Sequence, residues 1–134
     1  MSSVRPMVQD VGGLARAGHG GDLVVTTNTP LVISAAGAYT LVVAAMARGA
    51  VVFTGLTAGA NLTTDTAANI LAAFPNLDVG ESVVVEIGIE DAFALTLVAG
   101  AGVTLAGCAT IAASSKRNLY FTKTSATTVT CTVV

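Results

Sequence analysis

The nine residues from Ser82 to Glu90 alternate without a break. Val83, Val85, Ile87 and Ile89 fall on one side, and Ser82, Val84, Glu86, Gly88 and Glu90 on the other. A period of two residues belongs to a strand, and the apolar set predicts one half-buried along a single face. Just before it, Ala67, Ile70, Leu71 and Phe74 fall at i, i+3, i+4 and i+7, which places them on one face of a helix. Thr64 or Asp65 can serve as its N-cap, and Asp65 also suits the positive end of the helix dipole. Pro75 cannot continue the ladder, and Asn76 follows as turn chemistry. A helix of about ten residues does not stand alone in water, so its apolar face must dock, and the strand offers the place. After the strand, Leu95–Val98 and Val103–Leu105 read as short strands joined through Gly100-Ala101-Gly102, a link whose glycines suit a hairpin.

The rest of the chain follows the same habit. Leu23–Thr27 and Leu31–Ser34 are strand-like, separated by Asn28-Thr29-Pro30, and Tyr39–Ala45 and Ala50–Thr54 are two further β-rich runs. Ala44–Arg48 could be helical, which periodicity over five residues does not decide. Arg117–Lys123 alternates with Leu119, Phe121 and Lys123 on one face. Val129, Cys131 and Val133 alternate with Thr128, Thr130 and Thr132, and Ser125-Ala126 between these two runs predicts a hairpin. Roughly eight to ten short strands and one short helix indicate an all-β domain of β-sandwich or jelly-roll-like kind over residues 23–134.

Met1–Asp22 is different. It carries VGG and GHGG, Arg5, Arg16, Asp10 and Asp22, and no sustained period, so it reads as a flexible N-terminal arm able to reach across a neighbouring surface. Arg5 and Arg16 are its expected polar contacts.

Composition enters through what such a domain does with its surface. Only 10% of the 134 residues are charged and 53% are apolar, against about 25% charged in ordinary soluble domains. A lone domain so dressed leaves apolar surface in water with few charges to keep it dispersed, so burial against neighbours is expected: a homo-oligomer or a larger assembly. A membrane span is the rival explanation. Leu23–Ala47 and Ala92–Ser115 are long enough and uncharged, but Pro30, Gly37, Asn28, glycines and threonines cut them into strand-sized pieces. The start, MSSVRPMVQD, lacks the apolar stretch of a signal peptide. A net charge of −2 argues for neither nucleic acid nor a membrane surface as partner. Between Gly49 and Ser115 there is no Lys or Arg, but there are Asp65, Asp78, Glu81, Glu86, Glu90 and Asp91. Arg5, Arg16, Arg48, Lys116, Arg117 and Lys123 all lie outside that window. Opposite signs on different segments can set the register of one subunit on another, or can be solvated loop charges. Arg5, Arg16, Arg48, Lys116 and Arg117 are the candidate contacts.

Residues for catalysis are scarce. His19 is the sole histidine, flanked by glycines and best read as a turn residue, and no GxSxG elbow accompanies it. Glu86 and Glu90 share a strand face at about 14 Å by strand rise, too far for a glycosidase pair. Gly100–Gly102 lacks the lysine of a phosphate-cradling loop, and Asn61-Leu62-Thr63, a sequon in form, reads as a turn. Cys108 and Cys131 have neither CxxC nor zinc spacing and read as two buried thiols. With two tyrosines and no tryptophan, a base- or sugar-stacking surface is not expected. No catalytic residue, cofactor or metal ligand is assigned.

The blocks GAYTLVVAAMARGAVVFTG, TTDTAANILAAFPNLDVGESVVVEI and TLVAGAGVTLAGCATIAASSKRNLYF resemble those of small tailed-bacteriophage virion proteins of the capsid decoration, or cement, kind. The similarity runs from about Gly37 to the C-terminus, with TDTAANI…VG…GVTL…G as its most recognisable part. The resemblance implies a trimeric β-rich protein on the outer surface of the capsid, with an arm or intertwined strands joining subunits and the major capsid protein as partner. It carries no catalytic residues. A tail baseplate or fibre module recognising glycans, and a head–tail connector component, are the alternative expectations.

Overall fold

The computed structural model describes residues 30–134. Met1–Asp22, the strand-like run Leu23–Thr27, and Arg5, Arg16 and His19 lie outside the described residues.

The described residues are mostly β: strands account for 45% of them and helices for 10%, with two mixed sheets and two helices. The strands are β1 (Leu31–Ile33), β2 (Tyr39–Leu41), β3 (Ala50–Phe53), β4 (Ala60–Thr64), β5 (Ser82–Ile89), β6 (Leu95–Val98), β7 (Val103–Gly107), β8 (Thr110–Ile111), β9 (Lys116–Lys123) and β10 (Val129–Val133). Helix α1 (Val43–Met46) follows β2 and α2 (Ala67–Ala73) follows β4. One sheet has the order β1-β3-β5-β9-β10-β7 and the other β2-β4-β6-β8.

From β1 to β6 the chain alternates between the sheets. β1, β3 and β5 are parallel neighbours in one, and β2, β4 and β6 in the other. Parallel neighbours need a crossover, and here each crossover is a strand of the opposite sheet, so the chain winds as a coil. The six-stranded sheet is completed by the antiparallel pairs β5–β9 and β9–β10, with β7 parallel to β10. The pairings do not show a jelly roll.

The long alternation is borne out: β5 runs Ser82–Ile89 and turns Val85, Ile87 and Ile89 inward. The predicted β9–β10 hairpin forms, with Leu119, Phe121, Val129, Cys131 and Val133 inside. Five expectations are corrected. Leu95–Val98 and Val103–Leu105 do not pair as a hairpin; the first lies in the four-stranded sheet, the second in the six-stranded one. Asn61-Leu62-Thr63 is not a turn but the middle of β4, because Leu62 is fully buried opposite Leu97. Among the described residues there are two helices, not one. Tyr39–Ala45 is not a single strand, since α1 takes over at Val43, where the Asp65 carboxylate accepts the Val43 N–H at 3.0 Å. The N-cap of α2 is Thr66, neither Thr64 nor Asp65: its hydroxyl accepts the Asn69 N–H at 3.1 Å.

The two inner faces share one apolar core. Tyr39 of β2 meets Phe53 of β3 edge-on, with ring centroids 5.5 Å apart, linking the sheets directly. Leu41, Leu62, Leu95 and Ile111 face this core from the four-stranded sheet, and Val51, Phe53, Val85, Ile87, Leu119 and Phe121 face it from the other.

Candidate interaction surface

Three of the acidic residues are occupied with the chain's own backbone. Asp65, 8% exposed, accepts from Val43 N–H, from Thr66 N–H at 2.8 Å and from the Asn69 side-chain amide at 2.7 Å, tying the starts of both helices together. Asp91 takes the N–H groups of Gly55 (3.1 Å) and Leu56 (2.8 Å), holding the loop after β3 against the loop after β5. Glu81 accepts the Asp78 N–H at 2.8 Å and closes its own turn. These carboxylates brace loops, a role that charge counting does not distinguish from solvation or subunit contact. Lys123 does the same for a carbonyl, donating from Nζ to Leu77 O at 3.1 Å.

The outward face of the six-stranded sheet is built by register. Val32, Val52, Gly88 and Lys116 form one row across β1, β3, β5 and β9. Ala50, Glu86 and Asn118 form the next, with Val134 exchanging backbone hydrogen bonds with Asn118. Val84, Tyr120, Thr132 and Ala106 form a third, and Ser82, Thr122, Thr130 and Thr104 a fourth. Val32 is 56% exposed and Val84 44%. The lysine stem lies over Gly88, where an added Cβ would sit 3.5 Å from Lys116 Cγ. The Ser82 and Thr122 hydroxyls are 2.6 Å apart, so part of the fourth row satisfies itself. At one end the face dips into a hollow of about 280 Å³ lined by Val52, Gly88, Glu90, Ser114 and Lys116.

The outward face of the four-stranded sheet is of another kind. Its rows are Thr40–Thr63–Val98 and Asn61–Thr96–Thr110, small hydroxyl and amide groups beside exposed Val98, with no charge in any strand. Beyond α2, Phe74, Pro75, Leu77 and Val83 line an open groove of about 570 Å³.

The candidate contacts do not lie on one face. Lys116 is exposed on the outward face of β9, whereas Arg117 is half-buried with the opposite parity, in register with Ile87. Arg48 is half-buried in the turn between α1 and β3 and is engaged in an interaction of its own. Glu86 and Lys116 make no side-chain hydrogen bond or ion pair among the described residues. The expectation for cysteine needs correcting at one position. Cys131 is buried in β10, its thiol pushed up to about 12 by desolvation, but Cys108 is exposed, and both are free. Val84 and Tyr120 are the members of this surface that sequence reading missed. The alternation places each on a strand, but their meeting depends on the β5–β9 register, which no local period carries.

Among the described residues, no group of three or more His, Cys, Asp or Glu side chains is placed to hold a metal ion, and no helix is long and apolar enough to cross a membrane. Comparison with known proteins finds no matching family model, no matching curated protein and no matching solved structure.

Proposed function

We propose that this chain is a structural assembly protein: a capsid decoration, or cement, protein of a tailed bacteriophage that binds the outer surface of the head as a homotrimer and stabilises it. The observation that carries the reading is the outward face of the six-stranded sheet, where exposed Val32 and Val84 join a four-row surface almost without charge. A surface of this kind works by adhering, and the charge-poor composition of the whole chain supports the same conclusion. The kind of assembly rests on the resemblance of the quoted sequence blocks to phage decoration proteins. In this reading the two sheets form a β-sandwich, the major capsid protein is the partner, and no catalytic step is involved. Arg5 and Arg16 belong to an arm that docks, while Arg48, Lys116 and Arg117 serve as polar contacts to capsid or subunit. Repetition over a shell lets individually weak contacts resist disassembly.

The test is addition of the purified protein to phage heads that lack it. Saturable binding and a higher temperature of head disruption are expected; no binding and no thermal gain would refute the role.

A further inference from the structure

We infer that the outward face of the six-stranded sheet is a self-recognition surface, on which two copies of this chain pack face to face about a two-fold axis with Glu86 of each opposite Lys116 of the other. The inference concerns contact between copies in solution: trimers paired through this face form a six-copy particle, and that pairing opens before the same face meets a capsid.

Three observations carry it. First, the two most exposed apolar side chains within the strands stand together here, Val32 and Val84, beside half-buried Val52 and Tyr120, whereas the other sheet exposes Val98 alone. Second, among the described residues the only charged ones that the strands place on this face are Glu86 and Lys116, one acid and one base. Glu90 stands at the rim, one residue past the end of β5. Neither Glu86 nor Lys116 has a side-chain partner within the described residues, although Glu86 is half-buried. They lie diagonally on adjacent strands, Glu86 in register with Asn118 and Lys116 with Gly88. An in-plane two-fold axis midway between them sets each against its opposite in the second copy, the isologous arrangement in which one patch recognises itself. Third, the area suffices. Six strands spaced by about 4.8 Å, of three to eight residues each at about 3.3 Å per residue, give roughly 500 Å² per copy. The pair then buries on the order of 1,000 Å², the threshold area for a specific interface. The hydroxyl-rich face of the four-stranded sheet offers no acid and base to set a register.

The experiment is light scattering coupled to size exclusion on the full chain, with single and double charge reversals. Wild type is expected to contain an even number of copies at micromolar concentration. Glu86→Lys and Lys116→Glu should each halve the mass, with at least tenfold weaker association, because like charges then meet. The double variant should restore it. Thr96→Lys, on the other sheet's outward face, should leave the mass unchanged, and circular dichroism melts confirm that all variants fold. Single reversals that leave the mass unaltered, or a double reversal that fails to recover it, would overturn the proposal. So would a wild-type mass of one copy or of three, which would make residues 1–29 of the same chain, or a different macromolecule, the occupant of this face. Head binding is read separately, so failure of this contact and failure of the capsid reading are distinguishable.

Discussion

The two sheets are held together by different means. The six-stranded sheet contains the two longest strands, β5 and β9, eight residues each and paired along seven positions. Its interior is apolar, with Val85, Ile87, Leu119 and Phe121 fully buried. The four-stranded sheet has strands of two to five residues, too short to carry much cross-strand packing. It depends on hydrogen bonds at its strand ends. Thr64, buried beside Leu41, accepts the Gly100 N–H at 2.8 Å and donates to Asp65 O at 3.0 Å, and Asp65 then holds both helices. The contrast teaches that a charge-poor chain can build one wall from periodicity and the other from a few well-placed polar atoms. Substitutions on each side can break or sharpen that distinction.

The largest effect is expected in the apolar wall. Val85→Asp or Ile87→Asp places an unpaired carboxylate at a position with no solvent exposure, costing several kcal/mol against a total of about 5–15. Cooperative thermal unfolding should disappear; a soluble variant with a sharp melt would show that the apolar wall tolerates what it is said to exclude. Next comes the joint between the walls. A Cβ on Gly100 would sit 2.5 Å from Asp65 O and 2.6 Å from Thr64 O, both backbone atoms that cannot step aside cheaply. Gly100→Ala is therefore expected to lose about 2–3 kcal/mol in urea unfolding, the scale of an overpacked core. A loss below about 0.5 kcal/mol would mean the junction yields freely.

These two sites also mark how far the sequence could be read. Val85 and Ile87 were legible because strand alternation is a local signal, and the same holds for the apolar face of α2. Gly100 was recognised as a turn glycine for the wrong partner. Its need for a bare α-carbon comes from β4 and Asp65, thirty-five residues away, and no local pattern carries that approach. The coil of parallel strands was illegible for the same reason. A short strand such as β4 reads ANLTT, with one large apolar residue, and its place follows only from Leu62 meeting Leu97. The outward face suffered likewise: Val84 was visible as the off-side of a strand, but its row with Tyr120 and Thr132 exists only through register.

The polar wall is tested at Asp65. Asp65→Ala leaves the part-buried Val43 and Thr66 N–H groups and the Asn69 amide without their buried acceptor, at about 1–3 kcal/mol. Thr66→Ala removes only the cap of α2 and should cost about 1 kcal/mol. If the two variants lose the same amount in urea titrations, the carboxylate adds nothing beyond helix capping, and the four-stranded sheet is not braced as described.

The smallest effect returns to the apolar wall, through the one titratable group it buries. Desolvation pushes the Cys131 thiol up from 9.0 to about 12, because the thiolate has no favourable place among Leu119, Phe121 and Val129. In the unfolded chain the thiol loses its proton near 9.0, but in the folded chain it keeps it to about 12. Between those values the unfolded state binds fewer protons, so this group makes stability fall as pH rises across that window and contributes no slope below it. Cys131→Val keeps the shape and removes the titration. The wild type should therefore lose more urea stability than the variant between pH 8 and pH 10, with the lysines and tyrosines common to both cancelling in the difference. Alkylation gives the second reading: at pH 8 the exposed Cys108 should modify in the folded protein, whereas Cys131 should react only when the chain unfolds. Equal pH slopes, or prompt labelling of both thiols, would show that water reaches the interior of the larger sheet and that its stability does not rest on dry packing.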